Sequence, residues 1–219
     1  MRERKRQKYS GAMRSPAVGV RVRGLWRCPF PTTITGMSLF EKYLPRHQFA
    51  ERHHIAIKAS PSAVLDWVAG GSLPSDPIIT ALLQARSMPG RLLNRLGFSD
   101  AAQPQTVGLP NFIPLERDGN REIASGLIGR FWRPDGGLAP IADAAGFLAF
   151  DDRRTAKLVI VWTAQPEGDH TRLITETRIW CPDDYSRAMM SAYWLVIRLP
   201  SGLIRRRLLS AIKRGLEGG

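Results

Sequence analysis

The sequence predicts an α+β fold in which an antiparallel sheet of about six or seven strands meets one long C-terminal helix, with two short helices after the first strand. Three observations carry this. Two strand-like segments run directly into a single helical segment, Asp183 to Glu217, in the last third of the chain. The strand-like segments upstream are joined by turns too short to hold the crossover helices that parallel pairing needs. The first strand passes instead into two helix-start signals, Ser60-Pro61 and Asp76-Pro77. With 219 residues, 43% hydrophobic and 23% charged, the chain can build one domain with a substantial core.

The elements follow in order from Met37. Ser38 to Tyr43 is a short helical lead. Arg52 to Ala59 alternates, with His53, Ile55, Ile57 and Ala59 on one face of a strand. Ser60 then caps a helix that has Pro61 at its first position, Val64, Leu65 and Val68 as its apolar stripe, and Gly70-Gly71 as its stop. Asp76-Pro77 repeats the device with Ile78, Ile79, Leu82 and Leu83, and Leu92 to Leu96 is a third short piece. Beyond Gly97, strands are expected at Phe112 to Glu116 and Glu122 to Trp132, around the hairpin turn Asp118-Gly119-Asn120. Gly146 to Asp151, Lys157 to Ala164 and Thr171 to Cys181 complete an antiparallel meander, the last two joined through Pro166-Glu167-Gly168-Asp169. Gly126 and Gly129 are read as a bulge or bend where the sheet curves. The closing helix has Asp183 or Asp184 as its cap and an apolar stripe of Met189, Tyr193, Val196 and Leu203, continued by Leu208, Ile212 and Leu216. Arg205, Arg206, Arg207, Lys213 and Arg214 are placed on its outer face, and Pro200 predicts a kink.

Charge divides the chain. Of the net +13, residues 1 to 36 carry +8, with nine Lys and Arg against Glu3. They show no sustained periodicity, contain Pro16, Pro29 and Pro31, and read as a disordered basic tail, while 37 to 219 form the folded domain. The tail is either an upstream extension before a true start at Met37 or a basic interaction arm. Its Arg-rich, acid-poor character is also that of a transit peptide. Cys28 and Cys181 make no disulfide framework, which favours a reducing, cytoplasmic setting. No apolar run approaches the roughly 20 residues of a membrane span, so a soluble protein is expected.

In this order of strand, helices, antiparallel strands and long final helix, the chain resembles the START-like or Bet v 1-like helix-grip superfamily from about Phe49 to Leu216. The phrases that carry the resemblance are Arg52-His53-His54-Ile55-Ala56-Ile57-Lys58-Ala59-Ser60-Pro61-Ser62-Ala63-Val64 and Thr171-Arg172-Leu173-Ile174-Thr175-Glu176-Thr177-Arg178. Tyr193-Trp194 and Pro200-Ser201-Gly202-Leu203-Ile204-Arg205-Arg206 add to it. The resemblance implies a curved sheet wrapped around the helix and a cavity between them that takes a lipid, sterol, polyketide or other apolar molecule. Such concave apolar spaces are usual ligand sites on physical grounds as well.

Trp132, Trp162, Trp180, Met189, Tyr193 and Trp194 are the large side chains expected to line the cavity, although each alone is also accounted for as plain core. Arg172, Glu176 and Arg178 share one strand face with Ile174 and Trp180. Facing inward, Glu176 and Arg178 would form a charged cluster at the cavity, joined by Arg187; facing outward, they are a solvated ladder worth about 0 to 1 kcal/mol per pair. His53 and His54 point to opposite faces and cannot chelate one metal together. No spacing suits zinc, no nucleophile stands beside a recognisable base, and no cofactor is expected. Asp151-Asp152 and Asp183-Asp184 sit where a turn and a helix cap call for acids.

Three function classes follow. The first is binding of a hydrophobic small molecule or lipid, and the second a cyclase, dehydratase or aromatase using the same cavity. The third is a surface-binding protein whose basic helix face meets anionic lipid, with nucleic acid the less expected partner.

Overall fold

The computed structural model describes residues 37–70, 111–133 and 136–218. The basic segment 1 to 36 and the helices expected after Asp76-Pro77 and at Leu92 to Leu96 lie outside the described residues. Helix α1 (Leu39–Tyr43) leads into strand β1 (Phe49–Ile57) and helix α2 (Pro61–Ala69). Strands β2 (Ile113–Asp118) and β3 (Glu122–Gly129) precede helix α3 (Ala144–Ala149), and strands β4 (Ala156–Glu167) and β5 (His170–Trp180) lead to helix α4 (Asp184–Glu217). The described strands form one sheet in the order β1-β5-β4-β3-β2. Every neighbouring pair is antiparallel. The meander β2 to β5 closes when β1, from far upstream, pairs along β5 from Phe49↔Ile179 to Ile57↔Thr171.

The helix starts are set by side chains the sequence supplies. Ser38 and Ser60 accept from backbone amides of the first turns of α1 and α2. Asp183 and Ser186 make a reciprocal capping box at the start of α4. Helix α4 then continues through Pro200 to Glu217.

Helices cover both faces of the sheet. On one face α4 and α2 pack Val64, Leu65, Leu208, Leu209 and Ile212 against Ile57, Ile160, Trp162 and Leu173. On the other, α1 and α3 bring Leu39, Phe40, Tyr43 and Phe147 onto Ala124, Ile128, Val159 and Val161. This explains the near-continuous burial of β3 and β4, which a one-sided sheet would replace with alternation.

Four expectations are corrected here. Gly146 to Asp151 lies largely in helix α3, because the Asp143 side chain accepts from the Gly146 amide at 2.8 Å and starts a turn there. Strand β3 stops at Gly129, short of Trp132, where the chain turns back and Gly129 bridges Leu138. Gly126 and Gly129 mark no bulge: β3 keeps an unbroken register with β4, and the shift lies opposite, between Pro114 and Glu116 of β2. Gly126 is glycine because a Cβ would come within 2.7 Å of the Phe147 ring. Finally, the expected stripe of α4 is out of phase in its first half: Met189, Val196 and Leu203 are exposed, and Met190 and Ile197 are the buried positions.

Candidate functional site

Strand parity decides what faces α4. From β5 it is Leu173, Thr175, Thr177 and Ile179; from β4 it is Leu158, Ile160, Trp162 and Ala164, paired directly opposite them. From β1 it is Glu51, His53, Ile55 and Ile57, with Glu51 opposite Thr177 and His53 opposite Thr175. Against this surface α4 presents Met190, Tyr193, Trp194, Ile197, Ile204, Arg205 and Leu208, and a cavity of about 110 Å³ remains between them. Beside it, toward α2 and β2, lies a larger cavity of about 490 Å³. The two share Phe112, Ile160, Trp162 and Leu208 as walls.

Trp162, Tyr193 and Trp194 are therefore at the helix–sheet cavity, and the Trp194 ring sits 5.8 Å from that of Phe49. Trp132 and Met189 meet elsewhere, in a separate cleft of about 310 Å³ with Arg130, Arg133, Arg154 and Tyr185. Glu176, Arg178 and Trp180 lie on the opposite sheet face. Arg178 Nε donates to Glu176 at 2.7 Å, the Arg178 guanidinium stacks 4.1 Å from the Phe40 ring centre, and Arg46 lies over Trp180. The apolar neighbours Ile174 and Trp180 suggested an inward face; Trp180 packs instead against the core under α1 and α3, on the side of the sheet away from α4. Arg172 bonds to Glu167 and Arg187 to Asp184, so neither joins Glu176.

The polar cluster that does reach the cavity is one the sequence reading passed over. Arg205, placed on the outer face from its charge alone, turns inward and donates to the Thr175 and Thr177 hydroxyls at 2.5 Å each. Its surface is only partly accessible, and burial pushes its pKa down to about 10, with the Glu51 carboxylate acting in the other direction. It therefore stays charged at neutral pH. Glu51 and His53 form their own pair, with Glu51 Oε1 2.8 Å from His53 Nε2. Gly202 makes room for both: a Cβ there would lie 3.0 Å from Glu51 Oε1. The signal was present in the sequence, since stepping back from Ile212 and Leu208 at helical spacing reaches Arg205, Ser201, Ile197 and Trp194.

Among the described residues no group of His, Cys, Asp or Glu could hold a metal ion, and no helix is long and apolar enough to cross a membrane. Cys181 is a free, buried thiol.

No protein-family model matches the chain, and no curated protein matches it either. Among solved structures it is similar to the crystal structure of TTHA0849 from Thermus thermophilus, at 12% identity over 77% of this chain and 94% of that one, with a TM-score of 0.27. A likeness of that degree carries no argument about fold or function.

Proposed function

We propose that the domain binds a hydrophobic small molecule or lipid between the sheet and α4, in the manner of the helix-grip superfamily that the sequence resembles. The observation that carries this is the pair of adjoining cavities under α4, walled by Ile160, Trp162, Leu208 and Phe112. The larger, at about 490 Å³, falls in the range of small-molecule sites, and both are lined mainly by apolar side chains. Native mass spectrometry of freshly purified protein, followed by solvent extraction, tests it, together with titration of a neutral apolar fluorescent probe. Probe uptake that weakens when Trp162 or Trp194 is replaced supports the reading. Failure of any apolar compound to bind would sink it.

A second reading concerns the outside of the same helix. Leu195, Val196, Leu199 and Leu203 are 80%, 65%, 78% and 51% exposed, an unusual amount of apolar surface on one helix face. Exposed Arg187, Arg198, Arg206 and Arg214 lie along the same helix. Apolar and cationic side chains in this arrangement suit the interface of an anionic membrane. Flotation with phosphatidylserine vesicles tests the idea: binding should fall with salt and with Leu199→Asp. Equal binding to neutral vesicles, or none, would discard it.

A further inference from the structure

Arg205 is more than core packing requires. It is a cation held beneath α4 at the wall of an apolar cavity, and its bonded partners are two uncharged hydroxyls, those of Thr175 and Thr177. Among the described residues no carboxylate lies within ion-pair distance of it; Glu51, on the same wall, acts on it through space but is bonded to His53. Glu51 offers the guanidinium an electrostatic counter-charge but no bond, so the cost of partly burying this cation is only partly offset, and a well-packed apolar residue at 205 would avoid it. The two threonines also do something specific. Paired side by side with β1 at Glu51 and His53, they hold the guanidinium at a fixed place on the sheet, so that only part of its five-donor fork is engaged. Gly202, one turn earlier, lets α4 approach the sheet closely enough for this.

We propose that Arg205 anchors the carboxylate head of an amphiphile whose apolar body lies along Ile160, Trp162 and Trp194. The inference rests on the cavity reading and sharpens it: the ligand is a monoanionic, long-chain or polycyclic acid, as opposed to a neutral apolar molecule. The planar guanidinium fork matches a carboxylate in shape and charge, and the low-dielectric surroundings strengthen the bond.

The experiment compares dodecanoate with dodecan-1-ol by isothermal titration at pH 8, where the acid is ionised and the chain lengths match. Dodecanoate should bind about tenfold or more tightly than the alcohol. Arg205→Met should remove that preference and leave alcohol binding within about threefold of its original value, since the apolar cavity is kept. If Arg205→Met does not fold, Arg205→Lys replaces it and should shrink the acid preference about threefold or more, because an ammonium has no fork. Equal binding of acid and alcohol to the native chain overturns the carboxylate anchor and leaves the cavity reading standing. The same holds if the preference survives substitution of Arg205. Absence of binding by either compound overturns both.

Discussion

Cys181 sits under the start of α4, and burial pushes its thiol pKa up to about 11. At pH 7 only about one molecule in ten thousand then carries the thiolate that reacts. Alkylation at neutral pH followed by peptide mapping should leave Cys181 unlabelled in the native protein and label it fully after denaturation. Rapid native labelling would mean that the α4 start opens freely. Glu122 makes a different demand. Almost fully buried, it accepts from the Leu39 amide at 2.8 Å and from the hydroxyls of Ser38 and Thr163, so it fastens α1 to the sheet. Glu122→Ala leaves those donors without an acceptor and should cost about 1 to 3 kcal/mol in denaturant unfolding, with Glu122→Gln costing less because one acceptor oxygen survives.

At the scale of elements, the two faces of α4 are separable by stability. Met190→Ala empties a buried position and should cost about 2 to 5 kcal/mol, whereas Leu199→Ala, on the exposed stripe, should stay within about 0.5 kcal/mol. Equal costs would mean that something packs on the outer stripe. The sequence made the extent of α4 legible through Asp183, but its phase was ambiguous because the helix carries two apolar stripes, and periodicity does not say which one meets protein. The break was visible as the five-residue step from Leu203 to Leu208, where a single stripe advances by three or four. The β2–β3 and β4–β5 hairpins were legible because their turns need residues such as Gly119 and Gly168, both at positive φ. Helix α3 was not, since six residues of Ala, Gly, Phe and Leu are too few to display a 3.6-residue period. The face of Glu176 and Arg178 was equally hidden, because Ile174 and Trp180 share it with the charged residues while Thr175 and Thr177 make the other face polar too, so polarity did not separate the two. In Gly126→Val the new methyls would meet Phe147 and Leu115, which should lower stability by about 1 to 3 kcal/mol and so report the α3–β3 contact.

For the whole molecule the important contacts are those that join its two ends in sequence. Strand β1 pairs with β5 across more than a hundred residues, and α4 packs its second half on a core drawn from β1, α2, β4 and β5 together. Helix and sheet should therefore form as one unit. Equilibrium unfolding followed by far-ultraviolet circular dichroism, dominated by helix, and by tryptophan fluorescence, to which Trp162 and Trp194 at the helix–sheet contact contribute, should trace a single coincident curve. An earlier loss of helix signal would show that α4 detaches by itself.

Pro200 gives that helix an uneven hold on its own backbone. Its ring nitrogen has no hydrogen to offer the Val196 carbonyl, so one rung of the helical hydrogen-bond ladder is missing there. The residues N-terminal to it are held by the cluster of Met190, Tyr193 and Trp194, and those C-terminal to it by Leu208, Leu209 and Ile212. Between these two grips, the stretch above the cavity is where α4 breathes most cheaply. In deuterium-exchange measurements the amides of 197 to 204 should exchange ahead of those of 206 to 213, and an occupant of the cavity should slow them first.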